Sequence, residues 1–567
     1  MMSRDLSYIH VPHLCPMDPG LLHQYLDIRA EEHAGTEAIV MYDMQMNRSA
    51  MTYGEWKNRS MSLAASLLEL GVSRGQPVLL IGGNTLEYIV FLMALHRIGA
   101  LAILLGPGDL TPAVIALLKT LGCTTIAFNP EMKGSQEKQL WAGLKELALT
   151  DAILISIRQS TCPPSLKIDP EIYSYQDLLK RGESLGMEDV LIAQAHVKSD
   201  DPIVASGTSG TTGNPKLVQL TSHAIVNLQG GVSFKVSNRK ITSFVARPIP
   251  WIGGLISLFK GLYSESTIVW IPTEIGLSEK TQEVVCEVIQ NESCNTWAPN
   301  HLFLPKLKAL QTKYDLSSVR LLVLTGRRHT PEEMFLVSEA FPNANIIHAY
   351  GSSESMKIGM RFQNRETIKD KSSVTKLLTC PGVEVKIVDA NNKVVPRGEP
   401  GEICCRSECV FLGYLGNLEA TSRAKSPQGW LHTEDLGTMD DQGMIEVIGR
   451  TSEIIKRATV KIFPGEIKAE LLKNPLVADA IVIGVPDQRL HEEICACVVF
   501  RKSGSDGLSL DALADWCNEK WPARADGLSL KPKYFVVYDE FPMTRSAKID
   551  LKEVKKIALA KLGLGEK

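Results

Sequence analysis

The sequence of 567 residues lacks the features that mark several common classes of protein. Its first residues, "MMSRDLSYIHVPHLCPMD", contain no signal-like apolar run, so neither secretion nor organelle import is expected. The twelve cysteines form no CxxC pairs spaced as a zinc site, which indicates buried thiols in a reducing compartment. With 61 Lys+Arg against 64 Asp+Glu, the net charge of −3 gives no reason to expect a nucleic-acid partner or a membrane surface.

A long uninterrupted hydrophobic run is also missing. The most apolar stretch, "YIVFLMALHRIGALAILLG", is broken by His96, Arg97 and Gly99, and an arginine at the centre of a membrane helix costs about 2.5–3.5 kcal/mol. This stretch therefore predicts a buried helix, a glycine turn and a buried strand rather than stable membrane insertion. A cytoplasmic location is expected, and the oligomeric state stays open.

What the chain does contain is an alternation of helical stretches with short apolar strands, the pattern of parallel α/β layers. The polar residues 160–200 include three prolines and predict a connecting segment with one helix. Short strands separated by turns between about 380 and 448 predict a small β-barrel-like subdomain. The predicted fold is therefore α/β, with a large N-terminal domain, 1–448, of layered sheets that includes this subdomain, followed by a small α+β domain, 449–567.

The stretch "VASGTSGTTGNPKLVQLTSH", residues 204–223, is the most distinctive segment. It is not a Walker A motif, because Asn214 and Pro215 follow the last glycine before the lysine. Its glycines allow close backbone approach, its hydroxyls can donate to phosphate oxygens, and its lysine adds a cation. The predicted phosphate-binding residues are Thr208, Ser209, Gly210, Thr211, Thr212, Gly213 and Lys216. A flexible linker is the alternative, although linkers seldom follow directly after a buried strand.

The segment "TSGTTGNPK" resembles the phosphate-binding signature of the adenylate-forming superfamily, which includes acyl-CoA synthetases, adenylation domains of peptide synthetases and beetle luciferases. Further similar segments follow in the family's order: "YDLSSVRLLVLTGRRHTPEEM", "HAYGSSES", "GWLHTEDLG", "IGRTSEIIKRATVKIFPGEIKAELL" and "FPMTRSAKIDLKEV". The resemblance is closest to acyl-CoA synthetases and extends from "MTYGEW" to the carboxyl tail. It implies that the small domain is mobile and rotates between two half-reactions.

The resemblance also implies roles for residues outside the loop. Glu354 follows a strand-like run and is expected to hold Mg²⁺ against the phosphates of ATP. Lys548 is expected to stabilise negative charge around the α-phosphorus, and it forms the predicted catalytic set with Glu354 and Lys216. Trp251 and Gly253 in "RPIPWIGGL" are expected to lie at the acyl pocket. The other predicted nucleotide-binding residues are Gly326, Tyr350, Gly351, Ser353, Asp435 and Arg450.

Several positions depart from the family's pattern. Glu434 replaces a glycine in "TEDLG", and Arg327 stands where a small residue normally lines adenine. Thr459 replaces a glycine that lines the thiol tunnel in members that use CoA, and Ser452 occupies a hinge position where Lys or Asp is usual. Adenylation is therefore expected to be better preserved than thioester formation.

The leading hypothesis is an ATP-dependent carboxylic acid:CoA ligase that forms an acyl-adenylate and releases AMP and pyrophosphate. Its expected cofactors are ATP, Mg²⁺ and CoA, and its expected partner is a small-molecule carboxylic acid of the fatty or aryl type. Two alternatives stay open because one fold can host different chemistries. They are a luciferase-like monooxygenase that acts on an adenylated luciferin, and a non-catalytic relative that binds a nucleotide or acyl ligand.

Overall fold

The computed structural model describes residues 5–131, 135–147, 152–158, 172–208, 215–229, 240–272, 275, 282–370, 373–458, 460–501, 510–522, 529–544 and 549–564. The chain divides into two compact units. The larger unit comprises Ile9–Val385 and Cys405–His432, and the smaller unit comprises Met1–Tyr8, Lys386–Cys404 and Thr433–Lys567.

The predicted boundary between residues 448 and 449 falls within a pair of antiparallel strands. Leu431–Met439 pairs with Ile445–Arg450, so that Leu436 lies opposite Gly449. This strand pairing joins residues on both sides of the predicted boundary, and residues 433–448 accordingly group with the C-terminal residues. A domain boundary at 448/449 stays a prediction.

The larger unit contains a sheet of eight strands, six of which are parallel. In spatial order they are Gly413–Tyr414, Lys216–Thr221, Pro202–Thr208, Leu101–Leu105, Pro77–Ile81, Thr125–Phe128, Ile153–Ser156 and Ile172–Ser174. The helices in this part of the chain are Tyr53–Glu69, Leu86–Ile98, Pro112–Thr120, Ser135–Leu147, Tyr175–Leu185 and Glu188–His196. The predicted connecting segment thus contains two helices, and the prediction of one helix was wrong.

The apolar stretch that contains His96 and Arg97 forms a buried helix and strand, as predicted. Gly99 ends the helix with φ of +72°, a conformation that glycine adopts without steric cost. The Arg97 guanidinium is fully buried, pairs with Asp27 at 2.7 Å and donates to the Ser60 hydroxyl at 2.9 Å. These two partners explain how a charged residue is accommodated inside an apolar helix.

A second sheet of the larger unit has nine strands, six of them parallel, with antiparallel strands at both edges. In spatial order they are Leu378–Thr379, Gly359–Gln363, Asn345–Tyr350, Leu321–Leu324, Thr296–Trp297, Thr242–Val245, Thr267–Trp270, Glu37–Tyr42 and Arg48–Thr52. Other helices of the larger unit are Leu22–His33, Ser222–Val226, Ile252–Tyr263, Gln282–Asn291, Leu307–Gln311 and Pro331–Ala340. One core cluster centres on Trp297, which packs edge-on against Phe303 and Phe341.

The predicted β-rich segment gives a five-stranded sheet, in the order Tyr8–Val11, Val383–Val388, Gly401–Arg406, Leu431–Met439 and Ile445–Arg450. The short helix Leu418–Ala424 precedes the last two strands in the chain.

The C-terminal part forms a second sheet, whose strands are Val460–Ile462, Ile455–Arg457, His491–Phe500 and Val477–Asp487, with Tyr534–Val537 pairing in parallel with His491–Phe500. Its helices are Pro464–Leu471, Leu510–Lys520 and Leu551–Leu562.

The two long strands of this C-terminal sheet are buried on both faces. Val482 and Ala496 belong to one core cluster, whereas Ile483 and Cys495, each one residue away, belong to another. Successive side chains of a strand point to opposite faces, so both faces of this sheet are covered. This explains why the two strands are nearly continuous hydrophobic runs.

Across the described parts of the chain, every cysteine is a free thiol, and all of them except Cys15 are buried. The expectation of buried thiols is confirmed for these residues. None of the described helices is long and apolar enough to cross a membrane.

Candidate active site

The predicted phosphate loop joins two adjacent antiparallel strands of the eight-stranded sheet. Thr208 ends one strand and lies opposite Lys216, which begins the next. The Thr208 hydroxyl donates to the Lys216 carbonyl oxygen at 3.2 Å. The ends of the loop are therefore anchored, while Ser209, Gly210, Thr211, Thr212 and Gly213 lie outside the described residues.

Tyr414 brings two of the predicted catalytic residues together. The Nζ atom of Lys216 lies 4.9 Å from the centroid of the Tyr414 ring, a distance at which a cation and an aromatic face attract each other. The Tyr414 hydroxyl donates to Glu354 Oε1 at 2.8 Å. Lys216, Tyr414 and Glu354 thus form one cluster, which we name the lysine–tyrosine–glutamate cluster.

The Glu354 carboxylate fits a role as a ligand for Mg²⁺. It is half-buried, and Tyr414 occupies one of its oxygens; within the described residues no group bonds the other oxygen. The Glu354 carbonyl accepts the backbone N–H of Phe411 at 2.8 Å, which fixes the main chain at this position. A positioned carboxylate oxygen is the kind of ligand that a hard cation prefers.

A compact turn after the strand Asn345–Tyr350 carries Glu354. The turn closes where the Ile358 N–H donates to the Tyr350 carbonyl at 3.0 Å. Gly351 has no room for a side chain, because a Cβ there would lie 2.6 Å from the Met356 carbonyl oxygen. Ser353 is partly exposed within this turn.

Two of the predicted nucleotide-binding residues lie at the carboxyl ends of adjacent strands of the nine-stranded sheet. Tyr350 ends the strand next to Leu321–Leu324, and Gly326 follows that neighbour with φ of +91°. Both therefore emerge at the carboxyl ends of parallel strands, where ligands of α/β proteins bind. Burial lowers the pKa of His348, on the same strand, to about 4, so this imidazole is neutral at pH 7.

The charge of Arg327, which follows Gly326, is paired within its own segment. Its guanidinium pairs with Glu333 Oε1 at 2.5 Å and donates to the Arg328 carbonyl at 2.9 Å. Glu333 belongs to the capping box that begins the helix Pro331–Ala340, together with Thr330. Arg327, which differs from the family's pattern, thus stabilises the start of this helix.

Asp435 and Arg450, two of the predicted nucleotide-binding residues, occupy opposite positions of the antiparallel strand pair in the smaller unit. Arg450 Nε lies 2.8 Å from Asp435 Oδ1, and Arg450 also donates to the Thr433 carbonyl at 3.2 Å. Asp435 is buried, and its N–H donates to the Thr433 hydroxyl. The strand register therefore brings the two predicted residues together.

Glu434, directly before Asp435 in the chain, is exposed and has φ of +59°. A residue with a side chain adopts this left-handed conformation at a cost, whereas glycine does not. The extra carboxylate therefore points into solvent, and the unusual feature of this position is its backbone conformation. Ser452 is also exposed, while Thr459 and Lys548 lie outside the described residues.

Trp251 precedes the helix Ile252–Tyr263, and Gly253 lies in its first turn. Two hydrogen bonds fix the chain just before them: the Ile249 N–H donates to the Asn84 side chain at 2.8 Å, and the Ser206 hydroxyl donates to the Pro250 carbonyl at 2.6 Å. Ser206 lies on the strand that leads into the phosphate loop. The predicted acyl segment is thus hydrogen-bonded directly to that strand.

Tyr414 is the functional candidate that the sequence motifs did not reveal. It stands in "FLGYLGN", where an aromatic residue after a glycine resembles any buried strand residue. Its position opposite Val218, on the strand that Lys216 begins, comes from strand pairing alone.

Comparison with known proteins places this chain in a family. A family model for AMP-binding enzymes matches residues 26–415, and the model for the AMP-binding enzyme C-terminal domain matches residues 466–548. The bovine mitochondrial medium-chain acyl-CoA ligase ACSF2 is 26% identical over 549 residues, covering 92% of this chain and 85% of the relative. The acyl-CoA ligase sidI of Aspergillus fumigatus is 26% identical over 538 residues, covering 90% and 87%.

Solved structures share the fold over nearly the whole chain. The anthranilate CoA ligase AuaEII, in complex with anthranoyl-AMP, has a TM-score of 0.78 at 21% identity, covering 97% of this chain and 99% of that one. The o-succinylbenzoate CoA synthetase of Bacillus subtilis, in complex with its acyl-adenylate, has a TM-score of 0.71 at 21% identity, covering 95% and 99%.

The fold and the family matches define an adenylate-forming enzyme of the acid–thiol ligase class. The chain belongs to the AMP-binding enzyme family. The resemblance and the α/β fold predicted from the sequence are thereby confirmed.

Proposed function

We propose that this protein is an ATP-dependent carboxylic acid:CoA ligase that uses Mg²⁺, ATP and CoA. In the first half-reaction, a carboxylate oxygen of the acid attacks the α-phosphorus of ATP, and the bond to the β-phosphate oxygen breaks to release pyrophosphate. In the second, the thiol of CoA loses its proton, its sulfur attacks the acyl carbonyl carbon, and AMP leaves.

The observation that carries this proposal is the lysine–tyrosine–glutamate cluster at the base of the phosphate loop. Mg²⁺ on Glu354 would neutralise phosphate charge. Lys216 and the loop hydroxyls would hold the departing β- and γ-phosphates. Tyr350 would stack on adenine, Asp435 would bind the ribose hydroxyls, and Arg450 would bind ribose or phosphate oxygens. Lys548 would stabilise the charge that develops around the α-phosphorus.

Trp251 and Gly253 are proposed to contact the acyl group, since their segment is bonded to the strand that leads into the phosphate loop. The names of two relatives, a medium-chain acyl-CoA ligase and an acyl-CoA ligase, support a carboxylic acid that is converted into an acyl-CoA as the substrate. The ACSF2 relatives are named as mitochondrial, so a cytoplasmic location stays a prediction.

A panel of carboxylic acids read by ATP–pyrophosphate exchange, with and without CoA, tests the function. Exchange without CoA, together with AMP release that requires CoA, is expected. Light emission with a luciferin and O₂ would favour the monooxygenase. Absence of exchange with every acid, from a folded sample, would favour a non-catalytic relative.

Replacement of the predicted catalytic lysine sharpens this test. Lys548→Ala should lower exchange by about 100-fold or more, because preorganised charge on the transition state is removed. Lys552→Ala, which removes an exposed lysine near the start of the following helix, is the matched control and should exchange normally. Near-normal exchange by Lys548→Ala would contradict the role of this lysine.

A further inference from the structure

Arg247 carries a charge that no described residue pairs. It immediately precedes the "PIPW" segment and is partly buried. Two buried cations of the larger unit have carboxylate partners: Arg97 pairs with Asp27 at 2.7 Å, and Lys357 pairs with Glu408 at 2.9 Å. Because buried cations are normally paired, the absence of a partner for Arg247 calls for an explanation.

The guanidinium of Arg247 lies over Gly253. A Cβ on Gly253 would lie 3.0 Å from Arg247 Cδ and 3.3 Å from one terminal nitrogen of its guanidinium. The Arg247 carbonyl accepts the Trp270 indole N–H at 3.1 Å, so the main chain that carries the side chain is fixed. The charge thus stands at the first turn of the helix Ile252–Tyr263, which is the predicted acyl segment.

The electrostatic setting favours an anion at this place. Burial alone lowers the pKa of Arg247, with no contribution from a neighbouring charge. Of the first-turn N–H groups of this helix, that of Gly254 already donates to the Trp251 carbonyl at 2.9 Å, and Trp251 supplies no side-chain cap for the others. The positive end of the helix dipole adds to the arginine charge. An uncompensated cation in such a setting is costly, and an anionic ligand would remove that cost.

We propose that Arg247 binds a second anionic group of the carboxylic-acid substrate, at the end remote from the carboxylate that is adenylated. The substrate class is then a dicarboxylic acid, or an acid with another negatively charged group, rather than a simple fatty acid. Gly253 is part of this arrangement because its missing side chain leaves room for the guanidinium. The inference rests on the proposed function, since it assumes that the acyl group lies at this segment.

Two measurements on matched acids test the proposal. The first is calorimetric binding of octanoate and octanedioate to the full-length protein, and the second is ATP–pyrophosphate exchange with the same acids in the absence of CoA. The wild type should prefer octanedioate by about 10-fold or more in both, because only the diacid can form a charge-assisted hydrogen bond with Arg247. Omitting CoA excludes an effect of Arg247 on the phosphates of CoA.

Substitutions distinguish an effect of the Arg247 charge from a general effect on folding. Arg247→Met should lose about 10- to 100-fold for octanedioate and keep octanoate unchanged, whereas Arg247→Lys should retain part of the preference. Gly253→Ala keeps the arginine but places a methyl group against it, and it should also lower the preference for the diacid. Arg181→Met, at an exposed arginine paired with Glu69, is the control and should behave as the wild type.

Two results would overturn the inference: equal binding of both acids by the wild type, or an equal loss for both acids in Arg247→Met. Absence of exchange with every acid, while octanedioate still binds in an Arg247-dependent way, would instead overturn the proposed function and support the anion site.

Discussion

Tyr414 lies between two residues that sequence motifs identify, yet no motif identifies Tyr414. Its hydroxyl bonds to Glu354, 60 positions earlier in the chain, and its ring faces Lys216. A contact of this kind leaves no trace in local composition, because an aromatic residue in a core strand has the same neighbours in sequence. At the scale of single residues, the predicted loop and carboxylate were recognisable, but the residue that joins them was not.

The hydroxyl of Tyr414 is expected to orient the Glu354 carboxylate for Mg²⁺. Tyr414→Phe keeps the ring against Lys216 and removes one hydrogen bond, a change of about 0.5–1.5 kcal/mol. The Mg²⁺ concentration for half-maximal pyrophosphate exchange should therefore rise about 3- to 10-fold. Tyr314→Phe, at a tyrosine whose hydroxyl bonds to Glu283, is the control. An unchanged Mg²⁺ dependence in Tyr414→Phe would contradict the orienting role.

The backbone at Glu434 stores strain that glycine would relieve. Glu434→Gly should stabilise the protein by about 1 kcal/mol, because the left-handed conformation costs about 1–2 kcal/mol for a residue with a side chain and glycine loses part of this gain through entropy. The midpoint of urea unfolding checks this. Glu434→Ala removes the charge but keeps the Cβ and should not be stabilised. If both variants gain equally, charge rather than conformation is responsible.

At the scale of elements, the apolar patterns predicted the parallel strands and the buried helix around His96 correctly. The number of helices in the segment 160–200 was not predicted correctly. Its described part holds the helices Tyr175–Leu185 and Glu188–His196, where one helix had been predicted. The first is anchored by tertiary contacts: the Leu178 carbonyl accepts the buried Ser66 hydroxyl at 2.6 Å. Such contacts stabilise polar helices whose hydrophobic periodicity is too weak to predict them from the sequence.

The turn that carries Glu354 is another element whose geometry is set by packing. Gly351→Ala would place a Cβ 2.6 Å from the Met356 carbonyl oxygen, so the turn must shift, at a cost of about 1–3 kcal/mol. We expect a lower unfolding midpoint and a loss of pyrophosphate exchange at subsaturating Mg²⁺. Gly35→Ala, where a Cβ meets nothing within 4 Å, is the control. Normal stability and normal Mg²⁺ dependence of Gly351→Ala would show that the turn tolerates a side chain.

At the scale of the whole molecule, the two proposed half-reactions should depend on different residues. Lys548→Ala is expected to fail in adenylation but to convert a supplied acyl-adenylate and CoA into the thioester at a rate within about threefold of the wild type. The reason is that charge stabilisation at the α-phosphorus is needed only in the first half-reaction. Single-turnover thioester formation from a synthetic acyl-adenylate measures this. Equal loss in both half-reactions would indicate a general defect of the protein instead.

The sequence alone was sufficient to predict the fold class and the family of this protein. The composition of the phosphate loop, the alternation of helices and strands, and the order of the motifs were sufficient for the fold class and the family, because backbone geometry and phosphate binding depend on residues close in the chain. Tertiary structure decided the rest. The Asp435–Arg450 pair depends on strand register, the lysine–tyrosine–glutamate cluster on strand order, and the main-chain position of Arg247 on its hydrogen bond from the Trp270 indole. These features arise from contacts between residues distant in sequence, and local patterns do not encode such contacts.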